Sequence, residues 1–105
     1  MKKTVILVLL TLVCTLTFAV PNGCYEGVKR PLKGRCALKI SGNVLKLIQS
    51  DGDELLWTIR NEEKSNDGTR GVLNLESKYG AVQTATWWIE NGKTYLNFGF
   101  TYVLM

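Results

Sequence analysis

The chain has 105 residues, 46% of them hydrophobic and 21% charged, with no histidine and only three cysteines. Thirteen Lys and Arg stand against nine Asp and Glu, a net charge of +4. Without histidine the Ser-His and Cys-His nucleophile systems are excluded, and the usual zinc ligand sets cannot be completed.

The chain opens Met1-Lys2-Lys3, followed by an apolar run from Val5 to Phe18. A charged start, a short apolar core and a small residue at the end make a secretory signal peptide over residues 1–19. Thr17-Phe18-Ala19 supplies a small-x-small cleavage pattern and places the cut before Val20-Pro21. The run falls short of the roughly 20 residues that span a bilayer as a helix. Retention as an anchor is one alternative. Lipidation at Cys14 is another, but Val13 stands where a small residue is required and Cys14 lies inside the run. The expected destination is secreted or periplasmic. Cleavage removes Lys2 and Lys3, leaving eleven basic against nine acidic residues, a charge of +2. That balance gives no case for nucleic acid, and no membrane contact is expected once the signal has gone.

Residues 20–105 form a single small β domain. A domain this small is marginally stable, and in an oxidising compartment Cys24 and Cys36 should pair. Closing that loop would contribute about 3 kcal/mol in the chain-entropy description. Lys29, Arg30, Lys33, Arg35 and Lys39 cluster early in the domain. They read as a solvated hairpin surface or as a patch for an acidic partner.

After the signal the apolar residues repeat with a period of two. Gly34 to Ser41 places Cys36, Leu38 and Ile40 on one face, and Asn43 to Gln49 is a second strand. After the turn Asp51-Gly52-Asp53, residues Glu54 to Arg60 alternate Leu55, Trp57 and Ile59 inward. Asn61 to Gly68 contains no apolar residue and is expected to be the longest and most mobile loop. Arg70 to Glu76 is a strand, as are Ala81 to Glu90 and Lys93 to about Val103, with Asn91-Gly92 between the last two. Asn-Gly between alternating strands is the signature of a type I′ hairpin. Its register sets Glu90 against Lys93, Trp88 against Tyr95 and Trp87 against Leu96. The core face then carries Ala85, Trp87, Ile89, Leu96, Phe98 and Phe100, and the outer face carries Trp88 and Tyr95. The expected fold is all-β, an antiparallel meander of six to seven strands closing into a barrel, with a two-sheet sandwich as the alternative.

No catalytic residues are expected, and neither a cofactor nor a metal. Asp51 with Asp53, and Glu62 with Glu63, are the close carboxylate pairs, and both read as solvated turn residues. Asp51-Gly52-Asp53-Glu54 lacks the remaining ligands of a calcium loop. The binding candidates are therefore the outward aromatics Trp88 and Tyr95, as a platform for protein or sugar. Trp57 and Trp87 read as core.

Tyr79, followed by Trp87-Trp88 and Asn91-Gly92, is similar to the Tyr…Trp…Lys-Gly stretch of small periplasmic inhibitors of C-type lysozyme. This resemblance covers only that segment. Ser77-Lys78 replaces the Ser-Gly before the family's Tyr, and the two mature cysteines lie closer together. It implies an exported, disulfide-bearing barrel that inhibits a lysozyme. Tyr25-Glu26 with Leu32-Lys33-Gly34-Arg35 resembles a crystallin-type hairpin start without a second copy. The resulting expectation is an exported, non-enzymatic barrel that binds a protein, in its specific form an inhibitor of an envelope-attacking enzyme such as lysozyme. A carbohydrate- or ligand-binding module and a structural envelope or secreted surface protein are the alternatives.

Overall fold

The computed structural model describes residues 18–30 and 33–105. Residues 1–17, which hold most of the expected signal peptide and Cys14, and residues Pro31 and Leu32 lie outside the described residues. The period of two becomes eight antiparallel strands: β1 Gly23–Gly27, β2 Leu38–Ser41, β3 Val44–Ile48, β4 Glu54–Lys64, β5 Arg70–Ser77, β6 Val82–Glu90, β7 Lys93–Phe98 and β8 Phe100–Leu104. Each pairs with the next in sequence, and β1 pairs with β8 through Tyr25–Leu104, Glu26–Val103 and Gly27–Tyr102 to close a barrel. The ring of described strands thus has no terminal edge strand. There is no helix among the described residues.

The count exceeds the six to seven strands expected, for two reasons. The segment Gly23–Gly27 is a strand that the alternation did not mark. The single strand expected from Lys93 to about Val103 is two strands. Gly99 has φ +78°, a left-handed conformation open to glycine at little cost. There the chain folds back so that Phe98 opposes Phe100. The register of the preceding hairpin is as expected: Glu90–Lys93, Trp88–Tyr95 and Trp87–Leu96 are partners, and both Asn91 and Gly92 have positive φ.

Two further expectations are corrected. Strand β2 begins at Leu38, so Cys36 precedes it and does not share its core face; its sulfur is bonded to Cys24 of β1 across a Cα–Cα distance of 5.1 Å. Asn61–Lys64 is not loop but a continuation of β4, and only Ser65–Thr69 connects β4 to β5. The register slips between Ile59 and Asn61, leaving Arg60 as the extra residue of a β-bulge. A bulge exchanges the faces of the residues beyond it. Glu62 therefore opposes the buried Leu73 and turns inward, while exposed Glu63 opposes Val72. Arg60 itself leans outward and pairs with Glu76 at 2.9 Å.

Tyr25, Leu38, Ile40, Leu45, Ile59, Leu73, Leu75, Ala85, Trp87, Leu96 and Tyr102 fill the barrel. Full burial of each large apolar side chain contributes about 1.5–3 kcal/mol. Three positions placed on the core face by alternation are exposed instead: Leu55 is 47%, Ile89 44% and Phe100 67% accessible, because all three lie at or next to strand ends beyond the packed interior. The two mouths of the barrel differ. At one, Val20 is buried and Phe18 packs against the core, while the Tyr25 hydroxyl donates to the Pro21 carbonyl at 2.7 Å. At the other lie the segment after β1, the 49–53 turn, the 78–81 turn and Gly99.

Candidate functional site

The second mouth, named here for Tyr79, holds most of the exposed apolar surface. Ser77 sets the position of Tyr79. Its hydroxyl accepts from the Tyr79 and Ala81 amides at 3.2 and 3.1 Å, and its carbonyl accepts from Gly80 at 3.0 Å. A serine hydroxyl that bonds the backbone ahead of it is a common way of nucleating a turn. The turn projects Tyr79, 85% exposed, with the Lys78 ammonium 5.1 Å from its ring centre. A groove of about 390 Å³ runs between Tyr79 and the start of β4, lined by Leu55, Leu56, Trp57, Ser77 and Lys78. Trp57 forms its floor and meets Phe98 edge to face at 5.6 Å, sealing the core beneath.

Phe100 stands across the same mouth, at the hairpin made by Gly99. It lines two hollows. One, of about 450 Å³, also contains Lys29, Arg30, Asn97 and Thr101. The other, of about 380 Å³, contains Arg35, Ala37, Asp51 and Tyr102. An exposed phenyl ring is thus flanked by cationic side chains on both sides. Of the early basic cluster, Lys29, Arg30 and Arg35 gather here, whereas Lys39 sits on the barrel wall opposite Lys46 of β3. Among the described residues, Leu55, Leu56, Tyr79, Val82 and Phe100 belong to this mouth, and of the exposed large apolar side chains Ile89 and Met105 lie at the other.

Trp88 and Tyr95 lie on the outer wall as expected, away from this mouth. Their rings stack at 5.6 Å with an interplanar angle of 14°, and each is half-buried. They form an outward row with Arg70, Val103 and Glu26. Trp87 is a fully buried core residue. The segment similar to the lysozyme inhibitors therefore spreads over four places: Tyr79 at this mouth, Trp87 in the core, Trp88 on the wall and Asn91-Gly92 in the turn at the opposite end.

Asp51 and Asp53 are exposed turn residues, with Asp51 accepting from the Asp53 amide at 2.9 Å. Glu62 is not a turn residue, and the inward orientation that the bulge gives it was hidden within a polar run. Asp67 anchors the Ser65–Thr69 loop. Hydrogen bonds from the Ser65 hydroxyl, then from the Thr69 hydroxyl and amide, hold its carboxyl down at about 2. Burial pushes the Tyr25 and Tyr102 phenols up. Among the described residues no three Cys, Asp or Glu side chains gather to hold a metal ion.

No protein-family model, no curated protein and no solved structure matches this chain.

Proposed function

We propose that this chain is an exported, non-catalytic β-barrel that binds a protein through its Tyr79 mouth. The observation that carries this reading is the grouping of Leu55, Leu56, Tyr79, Val82 and Phe100 at one end, with Lys29, Arg30 and Arg35 beside Phe100. Exposed aromatics next to arginine, on a rigid scaffold, are the composition of binding hot spots. The cations suit a partner that offers carboxylates. A glycosidase cleft with its two acidic catalytic groups is such a surface. That keeps an envelope-attacking enzyme such as lysozyme as the specific partner class. The Cys24–Cys36 bond supports a periplasmic or extracellular site of action.

The test is calorimetric titration of the processed, oxidised chain against a panel of envelope-attacking glycosidases, with their activity followed in parallel. Binding should weaken by about 2 kcal/mol or more in Phe100→Ser or Tyr79→Ser, as for a hot-spot residue. A panel without binding, or binding that both substitutions leave intact, refutes the reading.

A carbohydrate-binding role for the outer wall is favoured by one observation. The stacked Trp88–Tyr95 pair borders a row of Thr86, Asn97 and Thr101, which offers hydrogen-bonding groups beside an apolar ring face. Tryptophan fluorescence of the Trp88→Phe variant and the native chain across a glycan panel separates the two readings. No glycan-dependent change in the native chain discards this one.

A further inference from the structure

We propose that Glu62 is a receptor for the amine created when the chain is cut between Ala19 and Val20, and that the resulting ion pair locks the Val20 mouth. This rests on the export reading above.

Three donors converge on the Glu62 carboxylate. The Ala19 amide donates to Oε1 at 2.8 Å, the Val20 amide to Oε2 at 3.1 Å, and the Trp87 indole to Oε2 at 3.0 Å. Val20 is 3% exposed and belongs to the core. A carboxylate turned inward by a bulge thus meets the backbone on both sides of the bond that the signal-peptide pattern marks for cleavage. The Ala19 and Val20 amides make charge-assisted hydrogen bonds to this carboxylate but leave its charge unbalanced. A cation in the same place keeps such a bond and adds a direct attraction between opposite charges, which is strengthened away from bulk water.

Hydrolysis of the Ala19–Val20 bond by an export-pathway peptidase consumes one water. It leaves a carboxylate on Ala19 and an amine on Val20, which takes up a proton at neutral pH. The departing Ala19 removes one donor, and the ammonium, with three N–H groups, replaces it towards Oε1. The new terminus stays in position because its tethers lie after the cut. The Pro21 carbonyl is held by the Tyr25 hydroxyl at 2.7 Å, and Asn22 Oδ1 accepts from the Gly42 amide at 3.2 Å. Cleavage also frees Phe18, so the ammonium takes over from the phenyl ring in closing this mouth.

The experiment begins with mass spectrometry of the chain recovered after export, in which the first residue is expected to be Val20. A different first residue overturns the proposal, and a chain recovered uncut or unexported overturns the export reading with it. Urea unfolding is then compared for the free and the α-acetylated terminus, in the native chain and in Glu62→Gln. Acetylation should lower the folding constant roughly tenfold or more with Glu62 present, and have little effect in the variant. Equal effects in both backgrounds overturn the ion pair and leave export standing. Should Glu62→Gln fail to fold, an NMR titration of the Val20 amine decides. A midpoint above the ordinary range of about 7.7–8.0 is expected, and one within it overturns the proposal.

Discussion

Gly71 is the position where a single methyl group should do the most damage. Its backbone is not in the left-handed region, so alanine is acceptable there on conformational grounds. A Cβ at this site would lie 2.6 Å from Trp87 Nε1, 2.9 Å from Trp87 Cε2 and 3.1 Å from the Glu63 carbonyl. The indole cannot easily withdraw. Trp87 is 1% exposed, and its N–H is committed to Glu62. Overpacking a filled core costs about 1–3 kcal/mol. Pulling the indole off a carboxylate adds about 1.5–3 kcal/mol. Gly71→Ala should therefore destabilise the domain by roughly 2.5–6 kcal/mol, which for a domain of this size lowers the melting temperature by on the order of 10–40 °C. Urea unfolding followed by far-UV circular dichroism measures it. Trp87→Leu in the same background removes the clashing ring, so the two substitutions should be less costly together than their sum by at least about 1 kcal/mol. A loss below about 0.5 kcal/mol for Gly71→Ala, or strict additivity, refutes the packing described for this layer.

The Cys24–Cys36 bond is expected to contribute about 3 kcal/mol, measured as the stability difference between the native chain and the double Cys→Ser variant. A difference under about 1 kcal/mol would mean that the strand pairing already confines this loop. Asp67 should titrate at about 2 in a carbon NMR experiment, against an unperturbed value of 3.8. Because its folded value is lowered, its stabilising effect is complete above about pH 4 and fades as the pH falls towards 2. Asp67→Asn should abolish that part of the acid sensitivity, and a midpoint near 4 in the native chain refutes the hydrogen-bond arrangement. The Trp88–Tyr95 stack should give a coupling of about 0.5–1.5 kcal/mol in a double-mutant cycle to alanine. Zero coupling would show that the rings pack independently.

The hairpin from Val82 to Phe98 was legible because Asn91-Gly92 permits few registers, and every partner follows once the turn is placed. The barrel was legible from recurrent alternation and the shortage of helix-spaced apolar residues. What alternation could not reveal were its own interruptions. The turn at Gly99 lies between two phenylalanines and has none of the polar residues that usually announce a turn, so two strands read as one. The bulge at Arg60 inverts the parity of β4, so an inward Glu62 looked like part of a solvated loop. The same effect hid the site. Phe100 has the parity of a core residue, and only its place at a strand end exposes it. Trp88 and Tyr95 were correctly placed outside, but their mutual stacking depends on rotamers that sequence does not specify.

The seam between β1 and β8 has a consequence for how the molecule is made. Every other pairing joins strands that are neighbours along the chain, and can form as soon as both are present. The seam joins Tyr25 to Leu104, the most distant partners in the fold. Contacts of such long sequence separation carry the largest loop-closure cost and form late. Until β8 arrives, β1 keeps a free edge and the core stays wet. A chain threaded through a channel from its amino end would thus remain an open, unfinished ribbon until its final strand had followed, and only then become a barrel.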